Sequence, residues 1–182
     1  MKKLIGVVAI VVVVGGYIFM TKSKYNTDEI TASQSKQEAT GNARIGEIEK
    51  IIDSNYPTEA KEIVQLHNDL MGVCYKYPMN YQEIKAYTTT IRKIYSQEFK
   101  DLNSEENQIA QLKKERETMG KESVELVASD ITETYVAKDD SGEEVSAEIN
   151  VIHATNAGST RRTYFLIKEN GMWKINGWEV AQ

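Results

Sequence analysis

The sequence is poor in the residues that most often announce chemistry. Its 182 residues include one cysteine, Cys74, and two histidines, His67 and His153, far apart in the chain. A lone cysteine forms no internal disulfide and leaves the redox compartment open. It also lies far from the amino-terminal apolar run, which excludes a lipoprotein anchor. Two separated histidines offer no metal-ligand spacing, and neither a phosphate-cradling glycine loop nor a nucleophile elbow occurs. No metal and no cofactor is therefore expected. Both prolines, Pro57 and Pro78, close helical patterns rather than interrupt them. Basic residues are outnumbered 22 to 27 by acidic ones, for a formal net charge of −5. That balance argues against nucleic acid or an anionic membrane surface as the primary partner.

What is present begins with a long apolar run. Lys2 and Lys3 precede residues 4–20, bounded by Leu4 and Met20, which carry no charge and no Asn, Gln or Pro. As a helix this run is ~25 Å long, a little short of a ~30 Å hydrocarbon core but within the range of a transmembrane span. A cleaved signal peptide is the rival reading, with an apolar core of only ~7–15 residues and a small-x-small cleavage site. Val14-Gly15-Gly16 imitates such a site, but Tyr17-Ile18-Phe19-Met20 carries the run past it, so an uncleaved signal-anchor is expected. Lys22 and Lys24 on the far side leave the positive-inside rule little to weigh. The short basic tail followed at once by the span is the signal-anchor arrangement. It places the carboxy-terminal bulk outside the cytoplasm, on a single-pass protein of the cell membrane. Residues 21–43 are polar and read as a flexible tether reaching roughly 26 Å on a root-mean-square basis.

About 160 residues remain after the anchor, enough for one domain, taken as 44–182. Ile45, Ile48 and Ile52 recur at helical spacing and stop at Tyr56-Pro57. A second helix from about Thr58 has the clearest face: Ile63, Leu66, His67, Leu70, Met71 and Cys74. Asn80-x-x-Glu83 opens a third as a capping box, with the stripe Ile84, Tyr87, Thr88, Ile91, Tyr95 and Phe99. A fourth runs from Asn103 or Ser104 to Gly120, with acids early and bases late. Only Ile109, Leu112 and Met119 give it an apolar edge, so it is expected on the surface.

From Glu122 the period becomes two. Val124 and Leu126 alternate, the pattern slips near Ser129-Asp130, and it resumes through Ile131 and Tyr135: one kinked strand or two short ones. Asp139 to Gly142 turns the chain. Val145, Ala147, Ile149, Val151 and His153 then keep strict parity, and Asn156 to Ser159 turns again. The final hairpin pairs two runs about Asn170-Gly171. In its second run Trp173 and Ile175 are odd, while Trp178 and Val180 are even. One extra residue at Gly177 brings all four to one face, which predicts a glycine bulge. Helices first and then an antiparallel meander indicate α+β, with about four helices on one face of a curved sheet.

Helices followed by a bent meander that ends in GMWKINGWEVA resemble the nuclear transport factor 2-like superfamily. That is the cone-shaped, cystatin-like fold of ketosteroid isomerase and scytalone dehydratase. The stretch NYPTEAKEIVQLHNDLMGVCYKYPMNYQEI is similar to an uncharacterised bacterial family with one amino-terminal membrane span. The resemblance covers about residues 45–180. It implies a conical cavity between helices and sheet but no particular activity, since the same cone hosts enzymes, binding modules and assembly subunits.

The candidate pocket-lining residues are His67, Tyr87, Tyr95, His153, Trp173 and Trp178. His67 sits within an apolar face and His153 ends a strand row, so both read first as structural histidines. Tyr75, Tyr77, Tyr81, Tyr87 and Tyr95 read as amphipathic core lining, with a pocket mouth or partner surface as the second reading. Arg161-Arg162 reads as a solvated strand start, with an anion contact second. The acids fall on polar parity; Glu133 alone shares parity with Ile131 and Tyr135, so no acid–base constellation is visible and no catalytic residue is assigned. The expectation is a non-catalytic extracytoplasmic domain that binds a protein partner or forms a homodimer. The alternative is a cone-pocket ligand binder, or an isomerase- or dehydratase-like enzyme with an acid pointing inward near His153 or a tyrosine. The ligand is left open.

Overall fold

The computed structural model describes residues 41–122 and 124–180, without side-chain placement for residues 119–122. The candidate span bounded by Leu4 and Met20, and all but the last three residues of the candidate tether, lie outside the described residues. Among the described residues no helix is long and apolar enough to cross a membrane. Five helices come first: α1 (Gly41–Ser54), α2 (Ala60–Lys76), α3 (Tyr81–Arg92), α4 (Gln97–Leu102) and α5 (Glu105–Glu122). Four strands follow, β1 (Leu126–Lys138), β2 (Glu144–Thr155), β3 (Gly158–Glu169) and β4 (Met172–Val180), in one antiparallel sheet of order β1-β2-β3-β4. The helices pack against this sheet, so the chain is α+β, as its two segregated periodicities require.

The helical stripes meet the inward rows of the strands. Ile45, Ile48 and Ile52 of α1 are buried, as is the whole α2 face from Ile63 to Cys74. Opposite them stand Ala147, Ile149, Val151 and His153 of β2, and Tyr164 and Leu166 of β3. Val145, first in the β2 row, is 40% exposed near the β1–β2 turn. Asn80 caps α3 as its spacing predicts: its side chain accepts from the Gln82 and Glu83 N–H groups, while Glu83 accepts from the Asn80 N–H. Helix α1 begins at Gly41, three residues before the expected Arg44. Helix α5 buries no side chain among those described, which agrees with a surface position.

The stripe expected on one third helix is instead divided. Helix α3 ends at Arg92, the chain turns through Lys93 and Ile94, and Tyr95 forms a single parallel bridge to Ile175 of β4. The Ile175 N–H donates to the Ile94 carbonyl, and the Ser96 N–H donates to the Ile175 carbonyl, both at 2.9 Å. Strand β4 is a sheet edge whose unpaired groups need partners, and this segment covers it. Ser96 then starts α4 by accepting from the Phe99 N–H at 3.0 Å. Tertiary pairing outweighs the helical periodicity here, which is why there are five helices rather than about four.

The bulge lies where parity requires it. Leu166 pairs with Ile175 and Phe165 with Gly177, leaving Asn176 as the extra residue. Trp173, Ile175 and Trp178 are consequently all buried on the inner face. The hairpin turn places Asn170 and Gly171 at φ +52 and +77, as a two-residue primed turn demands. Strand β1 is a single long strand whose mid-strand irregularity falls between Ile131 and Glu133, just after the expected slip. Glu133 is thereby turned outward, where it accepts from the Asn150 side chain at 2.9 Å.

Gly177 has φ +154, and no heavy atom lies within 4 Å of the place a Cβ would occupy. The constraint at this position is torsional rather than steric. Gly177→Val should destabilise the protein by about 1–3 kcal/mol in urea unfolding. An unchanged midpoint would mean that the two tryptophans share a face without any help from the glycine.

Candidate functional site

Between α2, α3, α4, α5 and the inner face of β3 and β4 lies a cavity of about 760 Å³, open on one side. That volume falls within the range of small-ligand pockets. Helix α2 contributes His67, Met71 and Tyr75; α3 contributes Tyr87 and Ile91; Tyr95 and Phe99 come from the segment that replaces the end of the expected third helix. Trp178 reaches in from just beyond the bulge. Its ring centroid lies 5.1 Å from Phe99, 5.4 Å from His67, 5.9 Å from Tyr164 and 6.1 Å from Tyr95. These tilted and edge-on contacts are those that aromatic quadrupoles favour. Among the described residues the Trp178 indole N–H, like that of Trp173, is buried without a hydrogen-bond partner.

Four of the six candidate lining residues, His67, Tyr87, Tyr95 and Trp178, stand in this wall. His153 and Trp173 do not. Tyr164 stands between His153 and His67, so the strand-end ring is two hydrogen bonds behind the wall. Trp173 is 1% exposed on the other side of the bulge, with Lys168 over its ring at 5.0 Å. Of the other tyrosines singled out by sequence, Tyr75 lines the cavity, Tyr77 packs partly buried against the core, and Tyr81 is 60% exposed.

The two histidines belong to one buried chain of side chains. The Ser129 hydroxyl is 2.9 Å from His153 Nδ1, and His153 Nε2 is 3.3 Å from the Tyr164 hydroxyl. The Tyr164 hydroxyl is in turn 3.2 Å from His67 Nδ1, and His67 Nε2 is 3.2 Å from the Tyr95 hydroxyl. Each imidazole therefore spends both nitrogens on hydroxyl groups, which suits a neutral ring that donates once and accepts once. Burial, and then the Arg162 guanidinium, hold His67 well below the ordinary histidine range and lower His153 to about 4. Among the described residues neither ring has a carboxylate as a hydrogen-bond partner, so no histidine–acid dyad is formed.

The charged groups of the wall are residues that sequence reasoning did not place there. Helix α5 presents Glu115, whose carboxyl is pushed up to about 7 by burial against the pull of Arg162 and Arg116. Arg116 is engaged elsewhere: it donates to the Cys74 carbonyl and, at 2.7 Å, to the Tyr77 carbonyl, closing the end of α2. Of the arginine pair, Arg161 is exposed, whereas Arg162 lines the cavity with its Nε buried and unpartnered. Both placements have a sequence signal. Arg162 shares parity with Tyr164 and Leu166, and Glu115 stands three residues beyond Leu112 on one helix edge. The remaining wall acids, Glu98, Glu148 and Glu179, are exposed. No group of three or more His, Cys, Asp or Glu among the described residues could hold a metal ion.

His153 makes stability pH-dependent with a defined sign. Its ring takes a proton near pH 6.5 when unfolded but only near pH 4 when folded. Below pH 6.5 the unfolded state thus binds more protons, and this contribution is lost as pH falls towards 4, by up to roughly 3 kcal/mol. Glu115 acts in the opposite sense, because its folded pKa of about 7 lies above the ordinary 4.5. Comparison with His153→Gln isolates the histidine: the stability difference should move in favour of the variant between about pH 7 and pH 4. A difference that stays constant would show that the ring has the same pKa folded and unfolded.

A search of curated proteins and a search of solved structures found no match to the chain. A family model, a domain of unknown function (DUF6715), matches residues 1–178, and the chain belongs to that family.

Proposed function

We propose that this protein is a membrane-tethered, extracytoplasmic, non-catalytic domain that holds a small, largely apolar ligand in the cavity between its helices and its sheet. The carrying observation is the cavity itself: about 760 Å³, walled by aromatic side chains, with a few polar groups converging on it. We read the fold as a nuclear transport factor 2-like cone, which the order of helices, bent meander and terminal Trp-Lys-Ile-Asn-Gly-Trp strand favours. Both imidazoles are committed to hydroxyl partners and depressed in pKa, which leaves no poised histidine base and supports binding over turnover. Glu115 is an inward acid of the kind an isomerase-like enzyme needs, but no hydrogen bond joins it to either histidine among the described residues.

Docking of a protein partner or a second copy on the sheet has weaker support. On the face opposite Tyr164 and Leu166, Tyr135 is exposed but Phe165 and Ile167 are half-buried. The tether reading rests on the uncharged run bounded by Leu4 and Met20.

The full-length chain should remain in the membrane pellet after carbonate extraction, and a domain released in soluble form would end the tether reading. Reconstituted in lipid nanodiscs, it should bind the neutral ring compound 2-naphthamide saturably and one to one. Gln111 is exposed and lines the cavity, so Gln111→Trp should obstruct the opening and weaken that binding by about tenfold or more. Binding that is non-saturable, or indifferent to the substitution, would refute the ligand-site reading.

A further inference from the structure

We propose that the ligand is a monoanion: an apolar body carrying one carboxylate, seated against the guanidinium of Arg162 with its apolar part among Trp178, Tyr95 and Phe99. This rests on the reading of the cavity as a ligand site. Among the described residues Arg162 forms no ion pair, and its Nε is buried without any partner. Its polar neighbours are poor ones for a cation: the Met71 thioether, 3.6 Å from Nη1, and the Tyr164 hydroxyl. Glu115 feels the same guanidinium, but burial pushes its carboxyl up to about 7, so below that pH the partly buried Arg162 has no ionised counter-ion among the described residues; an arginine fork is matched in shape by a carboxylate.

Arg162 is the cation that the inner groups feel. Its field is among those acting on His67, Tyr75, Tyr95, Glu115, His153 and Tyr164. The other wall arginine, Arg92, is occupied, donating to the Asn103 and Lys100 carbonyls and to the Gln108 side chain. The charge of the guest is set by the same arrangement. One free guanidinium balances one carboxylate, whereas a dianion would leave excess charge near Glu115 and facing the exposed acids Glu98, Glu148 and Glu179 at the rim. The unpartnered Trp178 indole N–H offers a further donor to an acceptor on the ligand.

The test compares three probes of one ring system, 2-naphthoate, 2-naphthamide and 2-naphthyl phosphate, by calorimetry on the full-length chain in nanodiscs at about pH 6.5, where the naphthoate carboxylate is ionised and Glu115 is still mostly protonated. The naphthoate should bind at least about tenfold more tightly than the amide, and more tightly than the phosphate. Arg162→Gln should abolish the preference while leaving amide binding, which also reports that the variant is folded. Arg162→Lys should retain part of it, and Arg161→Gln, on the exposed neighbour, all of it. A naphthoate that binds no better than the amide, or a preference that survives Arg162→Gln, overturns the monoanion while leaving the ligand site standing. A phosphate that binds best replaces the carboxylate with a dianion and likewise overturns it. Binding of neither naphthoate nor amide overturns the ligand site and the monoanion together.

Discussion

One extra residue in the edge strand sets the geometry of everything around the cavity. Without Asn176, strict alternation would put Trp178 on the opposite face from Trp173 and Ile175. With it, Trp178 turns inward and packs against His67, Tyr95, Phe99 and Tyr164. The bulged residue also works on its own side: the Ser96 hydroxyl donates to the Asn176 side chain, which itself donates to Glu98. Segment 94–96 is thereby fixed to the strand edge, and α4 starts from Ser96 to bring Phe99 over the cavity. Gly177, with the positive φ that L side chains avoid, is the residue that lets the backbone make this step.

Polarity is divided between two regions of the same core. Hydroxyls and neutral imidazoles satisfy one another in a line from Ser129 to Tyr95 that reaches the wall at His67 and Tyr95, and no charge is required. Elsewhere in the wall Arg162 and Trp178 have donors without a partner among the described residues, as do Trp173 and the Asn68 amide away from the cavity. An unpaired neutral donor is thus not peculiar to the wall, but a guanidinium without an ion pair beside a cavity is, and it points towards something that enters. The cavity and that guanidinium, more than the fold, are the reason to read a binding site here. The same architecture elsewhere is compatible with many roles.

Much of the fold was legible because its determinants are local. Asn170-Gly171 needs positive φ at two successive residues, Asn80 and Glu83 complete a capping box within four residues, and the parity break at Gly177 is a property of one strand. The division of the third helix was not legible, since Ile94 and Tyr95 continue a helical stripe while their backbone answers to a strand some eighty residues later. His153 and Trp173 were reached correctly as inward-facing, but parity gives the face and not the depth along it. The cavity charges escaped for a related reason. Glu115 is one of many charged residues on a surface helix, and Arg162 is one of a pair whose members part only when the strand is given its neighbours. Periodicity finds where apolar residues gather; a single charge turned against that pattern requires the packed structure.

The central claim is that a ligand enters the cavity and meets Trp178 but not Trp173. With only two tryptophans in the chain, 5-fluorotryptophan labelling gives two fluorine resonances, assignable by substituting each in turn. On saturation with 2-naphthoate the Trp178 resonance should shift while that of Trp173, buried on the other side of the bulge, stays in place. Two resonances that remain still, or that move together, would contradict the account.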